Sequence, residues 1–496
     1  MGSPRARRTV KSLTRNAYLN RGQYDAEFAA FTVKMLQKIK EYGFFVFMDP
    51  HQDVVSKCKA SNNAKWSRFS GGSGAPMWTL FAAGLDSEAF SATEAALVQN
   101  TWPKPQEFPK MIWSTNYHRF ACQTMFTLFY GGRVFAPKAI INGLNIQDFL
   151  HSHFLKAIDF LLKTIQEAGD LENEVVIGWE SLNEPNAGLL GIETIDEIPQ
   201  SQTLRLGTCP TAFQSMQLAS GLAVELDVWK FGGLGPYRSE KRVVDPKGTS
   251  VWLSSDHVDV KYKWKRDSDW KLGACLWAQH GVWQKEGRQL LQPKYFSQTP
   301  HGKIISAEVF TNTFFLDHFK CYMKTVRLVQ PDAIVMCQPP VLELPPKLKD
   351  SDVNMHRVVY APHYYDGLTL MTKKWSQLYN VDVLGLLRKE YLSPMFAVVL
   401  GEKAIRDCLK KQLSQIRQEG LEYMGEVPCL MTEIGIPYDM NNSQAYNDGD
   451  YSSQIHAMDA NHYALEGAGL SFTWWTYTAI VGFLIEYTNP EFPSMG

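Results

Sequence analysis

Two patterns of apolar residues alternate along the chain. Four long segments carry apolar residues at three- and four-residue spacing, which predicts amphipathic helices over residues 24–42, 146–167, 307–329 and 404–422. Short runs that are apolar throughout lie between them, the pattern of strands buried on both faces. These runs cover residues 44–48, 175–179, 333–336, 357–361, 427–431 and 470–475. The alternation predicts an α/β fold with a parallel sheet covered by helices.

Residues of chemical interest lie at or shortly after the ends of five of the apolar runs. They are Asp49 and His51, Asn183 and Glu184, His363 and Tyr365, Glu433, and Trp475. In a (β/α)8 TIM barrel the carboxyl ends of all strands converge on one pocket, whereas a doubly wound sheet would bring fewer of them together. We therefore expect a TIM barrel with a single site.

Two segments do not fit a simple repeat of strands and helices. Residues 188–299 are rich in Trp, Gly and Pro without sustained periodicity, which predicts long loop insertions over one face. Residues 469–485 are uncharged and close to the shortest length that spans a membrane. Their Ser, Thr and aromatic content favours a buried strand and its exit instead.

Charge and cysteine content narrow the class of partner. Fifty basic residues oppose 51 acidic ones, so the chain has no electrostatic signature of a nucleic-acid partner, and we expect a neutral one. The eight cysteines are scattered, which suits a reducing compartment. No apolar signal region follows the basic N-terminus. The expected location is intracellular, cytoplasmic or vacuolar.

Two glutamates suggest a specific chemistry. Cleavage of a glycosidic bond with retention requires two carboxyl groups about 5 Å apart. Glu184 follows VVIGWESLN and precedes Pro185, and Glu433 follows VPCLMT, so each is predicted at a strand exit. A glutamate in such a position is more often a solvated or paired carboxylate. Glu180 competes for the first role, but it belongs to the apolar run and ranks below Glu184.

The surroundings of both glutamates resemble a known family. WESLNEP followed far downstream by TEIG is similar to the paired signatures of family 5 glycoside hydrolases. The resemblance implies that Asn183 contacts the sugar 2-hydroxyl, that Glu184 is the acid/base and that Glu433 is the nucleophile. It implies no metal and no organic cofactor.

The same resemblance extends to the other strand-end residues. His51 in HQD would bind sugar, although a core histidine is an equal reading, and Asp49 and Asp53 are weaker candidates. In APHYY, Tyr365 would position the nucleophile and His363 would line the pocket; otherwise both are half-buried aromatics. Trp475 would form the floor beneath the sugar, against the ordinary reading of a core tryptophan.

A longer set of segments resembles one branch of that family. FMDPHQDV, TMFTLFYGGRVFAPK, LDVWKFGGLGPYR and LMTEIGIPYDM look like the fungal branch of ergosteryl-β-glucosidases and glucocerebrosidase-type enzymes. The resemblance implies a catalytic domain over residues 23–479 and a glucoside with a lipid aglycone, a steryl glucoside first. Glucosylceramidase and endo-β-glucanase are the alternatives. Peripheral membrane contact and the oligomeric state stay open, and no amphipathic basic helix argues for membrane binding.

Three segments depart from the family pattern. Residues 1–22 form a non-family segment in which we expect no matching strand, residues 55–65 are an insertion, and residues 480–496 replace the expected continuation. We therefore expect an incomplete barrel that lacks its first strands. A catalytically silent, truncated homologue is the corresponding alternative from outside the enzymes.

Overall fold

The computed structural model describes residues 9–13, 18–20, 23–51, 76–98, 102, 104, 107–109, 111–232 and 235–475. The chain divides into two compact units. Unit 1 comprises Met1–Val359 and Tyr423–Gly425, and unit 2 comprises Tyr360–Glu422 and Glu426–Gly496. Asp53, the insertion at residues 55–65 and the segment 480–496 lie outside the described residues.

The regular elements follow in chain order. The strands are β1 Thr9–Leu13, β2 Tyr18–Asn20, β3 Gln23–Tyr24, β4 Phe45–Asp49, β5 Ile140–Ile141, β6 Leu144–Asn145, β7 Val176–Glu180, β8 Gly207–Thr208, β9 Val224–Gly232, β10 Gly235–Val244, β11 Trp283–Gln284, β12 Gln289–Leu290, β13 Ile334–Cys337, β14 Val358–Tyr360, β15 His363–Tyr364, β16 Tyr379–Val381, β17 Val398–Leu400, β18 Leu430–Ile434 and β19 Ser471–Trp474. The helices are α1 Ala26–Glu41, α2 Met77–Ala82, α3 Phe90–Thr93, α4 Phe120–Phe135, α5 Ile146–Glu167, α6 Ala212–Ala219, α7 His257–Tyr262, α8 Leu276–Gln279, α9 Ala307–Phe310, α10 Leu316–Val329, α11 Gly367–Thr372, α12 Val383–Leu387, α13 Glu402–Met424, α14 Met440–Asp448 and α15 Ser452–Ala468.

The main sheet of unit 1 has the strand order β1-β4-β7-β13-β14. β4 pairs in parallel with β7, which pairs in parallel with β13. At Gly178 there is little room for a side chain between β7 and β13, since a Cβ there would lie 2.9 Å from the carbonyl oxygen of Ile334. The predicted α/β fold with a parallel sheet is confirmed.

The first strand of this sheet corrects an expectation. β1 pairs in parallel with β4, with Thr9 opposite Phe45 and Leu13 opposite Asp49. Residues 1–22 therefore contribute a strand, contrary to the prediction that they have none. The segment TVKSL has no continuous apolar run, so its pattern of apolar and polar residues did not predict a strand.

The long helices largely follow their predicted limits. α5 covers the predicted range, and the Asn145 side chain accepts a hydrogen bond of 3.0 Å from the Gln147 amide at its start. The single helix predicted over residues 307–329 is divided, because a π-helical turn at Thr311–Phe315 separates α9 from α10.

Residues 188–299 contain more regular structure than predicted. β9 and β10 form a long antiparallel ribbon, and β8 adds a third strand to it. Most side chains of this ribbon are half-buried or exposed on both faces. β9 begins with alternating apolar and polar residues, VELDV, but β10 has no sustained alternation, so the segment as a whole did not predict a ribbon.

The sheet of unit 2 has the order β15-β18-β19, and both pairs are parallel. β18 begins at Leu430, three residues later than the apolar run that predicted it. Pro428 has no amide N–H to donate to a neighbouring strand, which disfavours an earlier start. β18 ends at Ile434, so Glu433 is the next-to-last residue of the strand rather than lying beyond it.

Candidate active site

In unit 1 the end of β7 places Asn183 and Glu184. The Asn183 amide donates to the carbonyl of Pro50, which follows β4, over 2.9 Å. The Glu184 amide donates to the side-chain oxygen of Gln338, which follows β13, over 3.0 Å. These bonds fix the turn after β7 to the ends of both neighbouring strands. Asn183 and Glu184 are both buried.

The backbone of Glu184 is strained. Its φ angle is 42°, in the left-handed region that non-glycine residues rarely adopt, and Pro185 follows it. Such conformations cost roughly 1–3 kcal/mol and persist where the surrounding structure determines them, often at functional sites. The hydrogen bond from the Glu184 amide to Gln338 is one such constraint.

Two aromatic residues hold the Glu184 carboxyl group. The indole N–H of Trp113 donates to Oε2 over 2.7 Å. The Tyr117 hydroxyl lies 3.3 Å from the same oxygen and 3.3 Å from the Glu184 carbonyl. Neither residue was among the predicted site residues, because the segment MIWSTNYH follows no predicted strand and carries neither of the two glutamate motifs.

His51 and Asp49 form a buried pair in unit 1. His51 Nε2 lies 2.9 Å from Asp49 Oδ2, and β4 ends at Asp49. Glu180 is the last residue of β7 and is fully buried. His51 therefore has a polar partner in the protein, as the reading of a satisfied histidine requires, and its predicted role toward sugar stays a prediction.

In unit 2 the parallel strands bring together three predicted residues. His363 lies opposite Glu433 in the register of β15 and β18, and its Nδ1 is 3.7 Å from Glu433 Oε2. The Tyr365 hydroxyl donates to Glu433 Oε1 over 2.7 Å. His363 and Glu433 are buried, and Tyr365 is half-buried. A hydroxyl that donates to a carboxylate orients it and stabilises its charge.

Asp366, the residue after Tyr365, is held by hydrogen bonds of its own. Asp366 accepts hydrogen bonds from the Thr369 hydroxyl and from Asn380 Nδ2, the latter at 3.1 and 3.0 Å. Burial raises the pKa of the Asp366 carboxyl above its ordinary value, although both donors act in the opposite direction. Asp366 thereby fixes the backbone next to Tyr365.

Trp475 follows β19 directly and is half-buried. Its amide donates to the carbonyl of Ile434 over 2.8 Å. A Cβ at Gly435 would lie 2.2 Å from the Trp475 carbonyl oxygen, so this approach requires glycine. This close contact explains why the motif TEIG has glycine at position 435.

Among the described residues, no helix is long and apolar enough to cross a membrane. Residues 476–485, the larger part of the segment considered as a span, lie outside the described residues.

Comparison with known proteins points to one class. The chain is 57% identical over 462 residues to a glucosylceramidase of Aspergillus fumigatus and 43% identical over 480 residues to an ergosteryl-beta-glucosidase of Saccharomyces cerevisiae. Each alignment covers 92% of this chain. No family model matches the chain. The similarities support a relationship to the glycoside hydrolases.

A solved structure gives the same indication. The structure of Cryptococcus neoformans sterylglucosidase 1 matches with a TM-score of 0.87 and 42% identity over 95% of this chain, and 66% of that protein is covered. The chain spans 59% and 61% of the length of the two curated relatives named above.

Proposed function

We propose that the chain is the catalytic part of a retaining β-glucosidase that cleaves a glucoside with a lipid aglycone. Glu184 is the acid/base and Glu433 is the nucleophile. The observation that carries the proposal is the hydrogen bond of 2.7 Å from Tyr365 to Glu433, a buried carboxylate at the end of a parallel strand. A carboxylate that is held and aimed in this way is suited to attack an anomeric carbon.

We place the described strands in a (β/α)8 barrel of the family 5 type, within the expected domain of residues 23–479 and with β1 added to it. Support comes from the parallel pairing in both sheets and from the similarity to the sterylglucosidase structure. In such a barrel both glutamates belong to the carboxyl-end face.

In the first step Glu433 attacks the anomeric carbon and forms a glycosyl ester, while Glu184 gives its proton to the departing aglycone oxygen. The hydrogen bond from Tyr365 holds Oε1 of Glu433, and Oε2, which lies 3.7 Å from His363 Nδ1, is the oxygen that attacks. Asn183 would bind the sugar 2-hydroxyl, and His363 would line the pocket beside the nucleophile.

In the second step Glu184, now ionised, takes a proton from water, and the water oxygen attacks the anomeric carbon and breaks its bond to the Glu433 carboxylate. The sugar is released with its original anomeric configuration, and Glu433 leaves as a carboxylate. Trp113 donates to the Glu184 carboxylate, so its hydrogen bond is strongest in the state that follows proton transfer to the aglycone.

The aglycone we propose first is a sterol, as the resemblance in sequence implies and as the similarity to the sterylglucosidase structure supports. A ceramide is the second candidate, favoured by the 57% identity to the glucosylceramidase. Glucose release from ergosteryl glucoside and from glucosylceramide by the purified chain tests both. The faster substrate identifies the aglycone, and hydrolysis of long β-glucans alone would instead favour an endo-β-glucanase.

The Glu433→Gln variant is the control for the chemistry. Hydrolysis that persists in this variant would remove Glu433 as nucleophile. Absence of hydrolysis by the chain on every β-glucoside, with a folded protein in circular dichroism, would favour the catalytically silent alternative.

A further inference from the structure

Five large apolar side chains in unit 2 are each at least 70% exposed and lie within residues 378–400. They are Leu378, Leu392, Met395, Phe396 and Leu400, which we call the apolar ribbon surface. Single exposed apolar residues are ordinary on soluble proteins, but several in one segment mark a surface that a partner covers.

The backbone of this segment is ordered by hydrogen bonds. β16 and β17 form an antiparallel ribbon, and the Gly401 amide donates to the Leu378 carbonyl over 2.8 Å. Leu378 and Leu400 therefore lie at the same end of the ribbon. At the other end the Phe396 amide donates to the Ser393 carbonyl over 3.0 Å, in a 3-10 turn over Pro394–Ala397. The exposed side chains are thus presented by a defined backbone.

The two faces of the ribbon differ in polarity. Asn380 in β16 is buried and donates to Asp366, so this face is turned inward. Successive side chains of a strand point to opposite faces, which places Tyr379 and Val381 on the outward face. Their register partners are Leu400 and Val398. The outward face is therefore apolar; Tyr379, Val381 and Val398 are half-buried there, and Leu400 is exposed.

This ribbon is tied to the site of unit 2. Asp366, the partner of Asn380, directly follows Tyr365, and Tyr365 donates to Glu433 over 2.7 Å. A partner bound to the ribbon would therefore contact a segment that is hydrogen-bonded to the neighbour of Tyr365, the residue that positions the proposed nucleophile.

The charges near the apolar residues favour one kind of partner. Residues 373–400 contain four basic residues, Lys373, Lys374, Arg388 and Lys389, and two acidic ones, Asp382 and Glu390. Asp382 is 1% exposed, and Arg388 is paired with Glu419 and is only 16% exposed. Lys373 pairs with Asp439, and Glu390 pairs with Lys411. The exposed Lys374 and Lys389 therefore leave the accessible charge positive. Apolar side chains accompanied by basic ones are typical of surfaces that bind phospholipid headgroups and the adjacent acyl region.

We propose that the apolar ribbon surface docks on a lipid bilayer. The apolar side chains enter the boundary between headgroups and acyl chains, and the basic residues contact anionic headgroups. This inference rests on the proposed function, since the sugar of a lipid glucoside projects from such a surface. A second copy of the chain is the competing occupant, but a two-fold contact would oppose the basic residues of the two copies.

Flotation with phosphatidylcholine vesicles that contain phosphatidylserine tests the docking directly. We expect the chain to float with the vesicles and the double variant Met395→Ser, Phe396→Ser to lose at least about tenfold in partition coefficient. Leu328→Ser is the matched control, since Leu328 is 74% exposed in unit 1 and should not affect flotation. Absence of wild-type flotation, or an equal loss in the control, would overturn the proposal. So would a dimer that only the double variant dissociates, without vesicle binding.

Hydrolysis of a soluble aryl β-glucoside separates this inference from the proposed function. The double variant should keep its rate on the aryl glucoside and lose at least about tenfold on a glucoside embedded in vesicles. Vesicle binding that depends on the ribbon, without hydrolysis of either substrate, would refute the enzyme and leave the docking intact. Hydrolysis of the aryl glucoside by a chain that does not bind vesicles would refute the docking alone.

Discussion

The indole N–H of Trp113 and the carboxyl group of Glu184 are joined by a hydrogen bond of 2.7 Å. Trp113 is 46% exposed, whereas Glu184 is buried. The indole therefore reaches the carboxyl group from the solvent side. In the proposed reaction the donor opposes proton retention by Glu184 and favours its ionised form.

Trp113→Phe should shift the alkaline limb of the pH–activity profile to higher pH, because the ionised Glu184 loses a donor. We expect kcat/KM at neutral pH to fall about tenfold, the usual value of one hydrogen bond to a charged group. The pH profile with an aryl glucoside measures the shift. Tyr117→Phe is the control, since its longer bond of 3.3 Å predicts a smaller shift. An unchanged limb in Trp113→Phe would show that the indole does not act on the protonation of Glu184.

Tyr365→Phe should lower kcat by about 10- to 100-fold, since a hydrogen bond to a charged group contributes about 1.5–3 kcal/mol. KM should change little if the bond acts on the nucleophile rather than on substrate binding. Steady-state kinetics with an aryl glucoside separate the two parameters. A variant that changes only KM would place Tyr365 in binding.

Glu433→Gln should reduce kcat by about 10³-fold or more, as removal of a nucleophile does in other enzymes. The amide retains the shape of the side chain, so the midpoint of thermal unfolding should stay within a few degrees of the wild type. Glu180→Gln offers a contrast, since Glu180 is fully buried at the end of β7. There we expect a lower stability before any specific loss in the chemical step.

Gly435→Ala should destabilise unit 2 by about 1–3 kcal/mol, because the new Cβ meets the Trp475 carbonyl oxygen, which is backbone and cannot rotate away. Urea unfolding measures the change in free energy. Gly367→Ala is the control, since the nearest atom there is a side-chain methyl of Val383 at 3.2 Å. Equal stability of Gly435→Ala and the wild type would show that Trp475 can shift freely.

The stability of the protein should fall as the pH is lowered below about 6.5, the ordinary value for histidine. Burial holds the pKa of His318 well below that value, and burial lowers the pKa of His151, whose ring meets that of His318 edge to face, to about 4. Below pH 6.5 both histidines bind protons in the unfolded chain but not in the folded protein. The free energy of unfolding therefore rises with pH in this window. Each such histidine contributes at most about 1.4 kcal/mol per pH unit.

Thermal unfolding between pH 7.5 and pH 5 checks this sign. His318→Phe keeps a ring among Phe129, Tyr130 and Tyr322 and should show a weaker dependence on pH. A dependence as steep as in the wild type would exclude His318 as its source.

The order of the elements was determined by the sequence. Continuous apolar runs require strands buried on both faces, and the three- and four-residue spacing requires helices that cover them. The same patterns placed Glu184 and Glu433 near strand ends, and Glu184 lies four residues after β7 while Glu433 is the next-to-last residue of β18. β1 was not predicted, because its segment TVKSL contains polar residues instead of a continuous apolar run.

Only the tertiary structure decided which side chains hold those glutamates. Trp113 lies 71 residues before Glu184, and Tyr365 lies 68 residues before Glu433. The family resemblance implied the contact between Tyr365 and Glu433. The spacing of residues did not predict the contact between Trp113 and Glu184. Burial and hydrogen bonding between distant segments depend on how the chain packs, and the same holds for the apolar ribbon surface. The composition of β16 and β17 is that of ordinary buried strands, and only the packing shows that Asn380 alone among their residues is buried and that Leu400 is exposed.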